Sequence, residues 1–316
     1  MTADITLKTV TRTQGANEAL KDGTVVPRGF AFDFEEVPVL VQAFRRMVRA
    51  LEFDVSEMAF TTYLCARAHG KPFTALPVFL VRGFHHGAIV SSAAAGIAGP
   101  EDLEGRRVGV SRGYTVTTGV WARGILADEY GVDLSRVTWV LSGDEHVAEY
   151  RPPANVVAME PGADLAGLVA SGELAAGIGV RGGRPGVYQL IPDAAAAGFE
   201  ALRRRGLYPI NHLVVVRDEL LSAHPGLATA VFTAFFEAKQ RYLGRLRGGG
   251  ITDPAPADLM YKRVLDITGA DPLPYGVEPN RAMIDKLIQY AVSQRILDRS
   301  PAAEELFAED TLDLTG

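Results

Sequence analysis

Short apolar runs alternate with helical patterns along most of this chain, and that alternation restricts the folds open to it. Strand-like runs cover residues 5–10, 29–37 and 53–58. After Pro38, apolar residues recur at intervals of three and four, as they do on the buried face of a helix. Strands that alternate with helices are typical of α/β proteins, in which helices cover the faces of a sheet. We therefore expect an α/β fold.

Length and composition exclude several classes of protein. At 316 residues the chain is too long for one small core, which predicts two lobes. The net charge of −6 argues against a general nucleic-acid-binding protein, whose surface is basic. No apolar run reaches the roughly 20 residues that a membrane-spanning helix needs. The single cysteine, Cys65, excludes an internal disulfide and a cysteine-rich metal site.

The first residues, MTADITLKTVTRT, do not resemble a secretory signal peptide. They lack the basic start and the apolar segment of such a peptide, and they begin directly with the alternation of a strand. If Met1 is the native start, we expect a cytoplasmic protein; a protein whose signal peptide had been removed would look similar.

The order of the patterns predicts that one lobe is built from both ends of the chain. Lobe I is expected to comprise residues 1–90 and 206–316, and lobe II residues 91–205, inserted between them. Each lobe should be a mixed sheet flanked by helices. In such folds the ligand lies in a cleft between the lobes, at the carboxyl ends of the strands. Residues 185–205 are expected to be irregular.

The stretch 111–130, SRGYTVTTGVWARGILADEY, is the strongest candidate for a binding element. It follows a strand-like run at 107–110 and passes through Gly113 into a helix that starts with several hydroxyl groups. The first N–H groups of a helix have no intrahelical partner, and the helix dipole favours negative charge there, so this element can bind a carboxylate or a phosphate. The alternative is an ordinary helix start with threonines at the surface. The expected ligand contacts are Ser111, Tyr114, Thr115, Thr117 and Thr118.

Polar residues also interrupt or follow the other strand-like runs. Arg82, His85 and His86 interrupt an apolar stretch, where a charged side chain needs a partner such as a ligand carboxylate. Consecutive extended residues point in opposite directions, so at most one of the two histidines faces a ligand. The alternative for any one of these residues alone is a structural role or a helix cap. The further candidates at strand ends are Ser56, Glu57, Arg181, Asn211 and His212.

The sequence contains no motif for a metal or an organic cofactor. HExxH and paired Cys/His spacings are absent, and so are the Walker, GxGxxG and GxSxG motifs. We therefore expect no organic cofactor and no built-in metal site. A divalent metal bound through Glu57, His86 and His212 is left open, without a motif to support it.

Five segments of the chain resemble the 4,5-dihydroxyphthalate decarboxylases. They occur in the expected order from residue 53 to residue 281, so the resemblance covers most of the chain. The VWARGILADEYGV run and the PVF…R.F.H pattern are the most specific parts. The segments are FDVSEMAFTTYL (53–64), PVFLVRGFHHG (77–87), GRRVGVSRGYTVTTGVWARGILADEYGV (105–132), LYPINHLVVVRDELLSAHP (207–225) and DPLPYGVEPNR (271–281).

This resemblance implies a fold, a reaction and three site residues. It implies the fold of the type II periplasmic binding proteins, in agreement with the two lobes expected from the patterns. It also implies a carbon–carbon lyase that converts 4,5-dihydroxyphthalate, or a close analogue, to protocatechuate. The family's arginine and its two histidines fall on Arg82, His86 and His212. The turn SRGYTVTTG and Asn211 depart from the residues that are common in the family, which leaves the exact aromatic substrate open.

Aromatic decarboxylation needs a proton donor and groups that hold carboxylates. Loss of CO2 leaves negative charge on a ring carbon, and a nearby acid must then protonate that carbon. We expect His86 or His212 to be this acid, and Arg82 and the helix start after Gly113 to hold carboxylates. The expected partner is a small aromatic carboxylate, without nucleic acid or membrane, and a homo-oligomer is left open. The alternative function is the substrate-binding protein of an ABC transporter for an aromatic acid or similar anion, which needs no proton donor.

Overall fold

The computed structural model describes residues 5–180 and 183–316. It contains two mixed sheets, each flanked by helices, and this confirms the expected α/β fold. The strands are β1 (Ile5–Val10), β2 (Phe30–Phe34), β3 (Val55–Ala59), β4 (Phe73–Arg82), β5 (Ile89–Ser92), β6 (Arg107–Val110), β7 (Thr138–Leu141), β8 (Val156–Ala158), β9 (Ala176–Ile178), β10 (Val187–Gln189) and β11 (Ile210–Arg217). The helices are α1 (Glu18–Lys21), α2 (Leu40–Ala50), α3 (Phe60–Ala68), α4 (Thr117–Tyr130), α5 (Leu165–Ala170), α6 (Ala194–Arg205), α7 (Asp218–Ala223), α8 (Leu227–Gly248), α9 (Pro256–Thr268) and α10 (Arg281–Ser293).

The chain divides into two compact units. The first comprises residues 1–83, 210–285 and 301–316, and the second comprises 84–209 and 286–300. The sequence patterns assign residues 84–90, 206–209 and 286–300 to the lobe built from the chain ends, whereas the structure groups all three segments with the second unit. One reason is the side chain of Gln294, which bonds to the Val120 carbonyl oxygen of helix α4 (2.9 Å).

The sheet of the first unit has the strand order β2-β1-β3-β11-β4. Strand β1 is parallel to β2 and β3, while β11 is antiparallel to both of its neighbours, β3 and β4. Strands β1, β3 and β4 therefore end at the same edge of the sheet, and β11 begins there. This edge brings together residues from four distant parts of the sequence.

Helix α8 covers the first sheet with its apolar face. Leu227, Val231 and Phe235 recur at intervals of four, and all three are buried in one cluster with residues of β1, β3, β4 and β11. The rings of Phe32 and Phe235 meet edge to face, with their centroids 5.7 Å apart. The spacing of these residues fits the 3.6-residue period of a helix, so the sequence pattern accounts for this layer.

The sheet of the second unit has the order β10-β5-β9-β6-β7-β8. Strands β9, β6, β7 and β8 are parallel, and β5 is antiparallel to β9 and β10. The turn after β6 leads into helix α4, whose buried positions include Trp121, Arg123 and Ile125. The carboxyl ends of β6, β7 and β9 therefore share one edge, at which the predicted anion-binding turn lies.

Residues 185–205, expected to be irregular, form strand β10 and helix α6. Helix α6 starts after Asp193, whose side chain accepts a hydrogen bond from the Ala196 N–H (3.4 Å), and ends at Gly206 with a φ of +65°. An aspartate before a helix and a left-handed glycine after it are ordinary helix boundaries. The expectation was wrong because an alanine-rich helix has little apolar periodicity, although alanine is the best helix former.

Alanine substitutions at two helical glycines should have opposite effects on stability. A Cβ at Gly124 would lie 2.1 Å from Cε2 of Tyr290, whereas one at Gly244 would meet nothing within 4 Å in the described part of the chain. We expect Gly244→Ala to raise the free energy of unfolding by about 0.5–1 kcal/mol, because alanine is the better helix former. We expect Gly124→Ala to lower it by about 1–3 kcal/mol through overpacking. Urea unfolding measures both, and a Gly124→Ala protein as stable as the parent would contradict this packing.

Candidate active site

Three of the residues singled out from the sequence lie at one edge of the first sheet. Glu57 is the central residue of β3, two residues before its end, while Arg82 ends β4 and His212 is the third residue of β11. The directions of these strands place all three at the same edge. Ligand sites in open α/β sheets lie at the carboxyl ends of the strands, so this edge is the natural position for a site.

Glu57 and His212 form a hydrogen-bonded pair at this edge. Nδ1 of His212 lies 2.6 Å from Oε1 of Glu57, and Oε2 of Glu57 accepts a hydrogen bond from the Arg12 N–H (2.9 Å). The Glu57 side chain is fully buried, whereas 17% of the His212 side chain is exposed. A carboxylate only accepts hydrogen bonds, so Nδ1 carries a hydrogen and Nε2 becomes the nitrogen that exchanges a proton with a ligand. A histidine oriented by a buried carboxylate is suited to acid–base chemistry.

The register of the sheet brings these two residues together across 155 positions of sequence. Strand β11 pairs with β3 so that His212 lies opposite Ala59 and Val214 lies opposite Glu57. Residues that lie opposite each other share a face of the sheet, and so do residues two positions apart along a strand. Glu57 and His212 are therefore diagonal neighbours on one face.

Irregular pairing and an aromatic ring restrict the His212 side chain further. The register between β11 and β4 shifts on both sides of His212. Pro77 of β4 has no N–H to give to the ladder, and proline within a sheet is confined to edges and bulges. Bulges are common beside active sites because they redirect a side chain. The ring of Phe44 packs edge to face against the imidazole, with the centroids 5.2 Å apart.

Arg82 is held in place by Asn280, a residue that the sequence analysis did not single out. Nη1 of Arg82 donates to Oδ1 of Asn280 (2.6 Å), and only 5% of Arg82 and 1% of Asn280 is exposed. The Tyr261 hydroxyl lies 3.5 Å from the Arg82 backbone nitrogen, and burial raises the pKa of this phenol to about 12. An arginine stays protonated in a protein, so a cation is fixed at the same edge as the Glu57–His212 pair. The sequence could have pointed to Asn280, because it lies in DPLPYGVEPNR, one of the five segments that resemble the decarboxylases.

Two more predicted residues accompany this edge. Ser56 is fully buried, and its hydroxyl donates to the carbonyl oxygen of Glu57 (2.7 Å). Asn211 precedes His212 in β11 and is half-buried. The hydroxyl of Ser56 is thus bonded to the backbone of β3. Asn211 stays a predicted ligand contact.

In the second unit, a carboxylate of the chain itself occupies the predicted anion-binding turn. One carboxylate oxygen of Glu145 accepts a hydrogen bond from the Tyr114 N–H. The other accepts hydrogen bonds from the Thr115 N–H (3.2 Å) and the Thr115 hydroxyl (2.6 Å). Helix α4 begins two residues later, at Thr117. The N–H groups that the sequence predicted to bind a ligand carboxylate are therefore bound to Glu145 of the chain itself, and ligand binding at this turn stays a prediction.

The Tyr114 ring is engaged with a buried arginine. The Arg123 guanidinium lies 3.8 Å from the ring centroid, and its Nη2 donates to the Tyr114 carbonyl oxygen (2.6 Å). Its Nε donates to Oε1 of Gln294 (2.8 Å). Burial lowers the pKa of Arg123, while Tyr114 and Glu145 act in the opposite direction. The buried Arg123 guanidinium therefore packs against this turn and bonds to its backbone.

His86, the other candidate acid, contacts the far end of helix α4 and not its start. Its side chain is fully buried, and Nε2 lies 3.2 Å from both carboxylate oxygens of Glu129. Glu129 comes twelve positions after Thr117 in helix α4, about 18 Å along the helix axis. Burial raises the pKa of Glu129, but hydrogen bonds from His86 and Arg205 bring it below its ordinary value. A fully buried imidazole in this charge cluster is suited to a structural role.

The remaining predicted contacts of the second unit surround the same turn. The Ser111 N–H bonds to the Ile178 carbonyl oxygen (2.9 Å), which joins the turn to β9. Thr117 is buried and Thr118 is half-buried in the first turn of α4. Arg181 lies outside the described residues. Their contact with a ligand stays a prediction.

The side chains of residues 5–180 and 183–316 provide no ready metal site. No group of three or more His, Cys, Asp or Glu side chains in these residues is arranged to hold a metal ion. In the same part of the chain no helix combines the length and the apolar character that crossing a membrane requires.

Two characterised proteins are similar to this chain in sequence. The 4,5-dihydroxyphthalate decarboxylase of Comamonas testosteroni is 31% identical over 289 residues, which cover 86% of this chain and 87% of the relative. This chain belongs to the 4,5-dihydroxyphthalate decarboxylase family. The 4,5-dihydroxyphthalate decarboxylase of Pseudomonas putida is 35% identical over 176 residues, 51% of this chain and 68% of the relative. Membership of this family confirms the resemblance seen in the sequence, and it identifies the protein as an enzyme. No protein-family model matches the chain.

Solved structures show the fold of this decarboxylase-family protein. A Candida albicans protein, CA3427, with the generic periplasmic binding protein fold has a TM-score of 0.54 at 13% identity, covering 98% of both chains. The periplasmic aliphatic sulphonate binding protein SsuA of Escherichia coli has a TM-score of 0.53 at 13% identity, covering 97% of this chain and 92% of that one. The desulfurization enzyme DszB has a TM-score of 0.53 at 16% identity, covering 98% of both chains. The expected periplasmic-binding-protein type of fold is confirmed.

In this decarboxylase-family protein, removal of the Glu145 carboxylate should destabilise the second unit. Glu145→Ala leaves the Tyr114 and Thr115 donors without this acceptor, so we expect the free energy of unfolding to fall by about 1–3 kcal/mol. Glu173→Ala, at an exposed glutamate of the same unit, is the matched control and should stay within about 0.5 kcal/mol of the parent. Equal unfolding midpoints for the two variants in urea would show that the Glu145 contact does not stabilise the turn.

Proposed function

We propose that this protein is an aromatic carboxy-lyase that converts 4,5-dihydroxyphthalate, or a close analogue, to protocatechuate and CO2. Two observations support this. The Comamonas testosteroni relative bears the name of that activity and is similar along 86% of this chain. The Glu57–His212 pair supplies an oriented proton donor at the sheet edge where sites of such folds lie.

The proposed reaction consumes one proton. Each carboxylate of the substrate has a hydroxyl group para to it, and this hydroxyl can push electron density to the ring carbon that bears the carboxylate. A new C–H bond forms at that carbon with the proton of an acid. The bond to the carboxylate then breaks, CO2 leaves, and the electron pair of that bond restores the aromatic ring. Protonation thus precedes the loss of CO2, instead of following it as expected from the sequence. The enzyme must therefore place an acid next to one ring carbon.

His212 is the acid in this proposal. Its Nδ1 is held by Glu57, which leaves the Nε2 proton for the substrate, and its partial exposure gives a ligand access. Glu57 is fully buried, so it acts through His212 and does not contact the ring. During proton transfer the Glu57 carboxylate accepts the Nδ1–H bond and keeps the imidazole in one orientation. His86 is less suited because it is fully buried and bonded to Glu129.

Arg82 is proposed to hold a substrate carboxylate. Its guanidinium is fixed by Asn280 at the same edge as His212. Arginine matches the planar, two-oxygen geometry of a carboxylate. Arg82 holds the carboxylate that is retained. The position of the ring is then fixed, so the carbon that bears the other carboxylate faces the acid.

A direct assay tests the proposed reaction. Purified protein incubated with 4,5-dihydroxyphthalate should release CO2 and protocatechuate in equal amounts, measured by gas analysis and chromatography. Phthalate, which lacks both hydroxyl groups, should bind without turnover because its ring cannot push electrons to the reacting carbon. Tight binding of 4,5-dihydroxyphthalate without product would instead indicate a binding protein.

Glu57→Gln tests the proposed pairing. The amide keeps the size of the carboxylate but removes its charge, so we expect kcat to fall by about 10²-fold with KM within about threefold. Glu219→Gln is the control, because Glu219 is an exposed glutamate of the same unit whose partner is Arg217. Steady-state rates together with circular dichroism separate catalysis from folding. A folded Glu57→Gln protein with the parent kcat would remove Glu57 from the mechanism.

A further inference from the structure

We propose that Asn280 is a positioning residue that aims the Arg82 guanidinium at a substrate carboxylate and thereby sets the preference of the enzyme for dicarboxylates. This inference rests on the proposed function. It adds a residue that has no contact with the Glu57–His212 pair and is fixed by a different part of the chain.

The hydrogen bonds of Asn280 leave its amide only one orientation. The amide nitrogen donates to the carbonyl oxygens of Pro274 (2.9 Å) and Gly276 (2.8 Å), and Oδ1 accepts from Nη1 of Arg82 (2.6 Å). Carbonyl oxygens only accept and a guanidinium only donates, so a flipped amide would place donor against donor and acceptor against acceptor. With 1% of Asn280 exposed, water does not compete for these bonds. The direction of the Arg82 guanidinium is therefore tied to the loop 271–280.

That loop is itself anchored to the strand that carries Arg82. The Gly276 N–H bonds to the carbonyl oxygen of Pro77 in β4 (2.8 Å). The buried amine of Lys239 donates to the carbonyl oxygen of Leu273 (2.9 Å) and to Oδ2 of Asp271 (2.6 Å). Gly276 has a φ of +102°, and a Cβ there would lie 2.5 Å from the Leu314 carbonyl oxygen. Asn280 thus reaches Arg82 from a loop whose position is fixed on several sides.

A neutral partner suits this role better than a carboxylate. An aspartate at position 280 would hold Arg82 by an ion pair and would offset the charge that attracts an anionic ligand. It would also place a carboxylate against the Pro274 and Gly276 carbonyl oxygens. Asparagine orients the guanidinium and leaves its charge unchanged. Arg82 can then add a charge-assisted hydrogen bond to a carboxylate, and a dicarboxylate gains this bond while its other carboxylate reacts.

The test is a double-mutant cycle on Arg82 and Asn280. Four proteins are compared: the parent, Arg82→Met, Asn280→Asp and the double variant. We expect each single variant to raise KM for 4,5-dihydroxyphthalate about 10–100-fold with kcat within about threefold. The double variant should match Arg82→Met within about threefold, because Asn280 acts through Arg82. Multiplied effects in the double variant, or a parent-like KM in Asn280→Asp, would overturn the proposal.

Asn155→Asp is the matched control for the loss of amide donors. The Asn155 amide also donates to two carbonyl oxygens, those of Leu134 (3.0 Å) and Val137 (2.9 Å), in the second unit. This variant loses comparable hydrogen bonds. If the loss of such bonds alone raised KM, KM would rise in Asn155→Asp too. We expect the KM of Asn155→Asp to equal that of the parent. If Asn280→Asp does not fold, Asn280→Ser keeps an acceptor for Arg82 and should give a smaller rise in KM. A parent-like KM in folded Asn280→Ser, with Arg82→Met also parent-like, would overturn the proposal.

Calorimetric binding of phthalate and benzoate separates this inference from the proposed reaction. The parent should bind phthalate at least about tenfold more tightly than benzoate, and Asn280→Asp should lose this preference. If the parent shows the preference and Asn280→Asp loses it, but the parent releases no CO2 from 4,5-dihydroxyphthalate, the reaction is wrong and the role of Asn280 stands. If the parent releases CO2 and Asn280→Asp keeps the full preference, the reaction stands and the role of Asn280 is wrong.

Discussion

The hydrogen bond between Glu57 and His212 is the interaction on which the proposed chemistry depends. It joins β3 to β11, the antiparallel strand through which the chain returns to the first sheet after the second unit. Because Glu57 is fully buried and also accepts a hydrogen bond from the Arg12 N–H, its carboxylate is held in one position beside the imidazole. The fold thus fixes the orientation of the His212 ring and the nitrogen, Nδ1, that donates to Glu57.

Each unit uses its sheet edge differently. In the first unit, the edge presents a partly exposed imidazole and a guanidinium held by a neutral amide. In the second unit, the corresponding polar groups are bound to one another, since Glu145 occupies the N–H groups before α4 and Glu129 holds His86. Buried polar groups are stabilised by hydrogen bonds, and here Glu145 and Glu129 supply acceptors from within the second unit. This difference is why we place the acid of the reaction in the first unit.

The sequence predicted the fold class and the family, because strand and helix periodicity and local motifs are properties of neighbouring residues. It also named Glu57, Arg82 and His212 as candidates, and it grouped Glu57 with His212 only as ligands of a possible metal. It could not predict the direct hydrogen bonds, since the Glu57–His212 contact spans 155 positions and the Arg82–Asn280 contact spans 198. Such pairs depend on strand register and loop anchoring, which a single sequence does not encode locally. For the same reason the sequence predicted a ligand at the turn before α4 and could not predict that Glu145 bonds to its N–H groups.

Chemical rescue of His212→Ala tests the central claim most directly. The side chain of His212 is partly exposed, so its removal leaves a space that imidazole from solution can enter. If His212 is the acid, the folded variant should lose about 10²-fold or more in kcat, and added imidazole should restore turnover in proportion to its concentration. A folded His212→Ala protein that decarboxylates at the parent rate without imidazole would contradict the account.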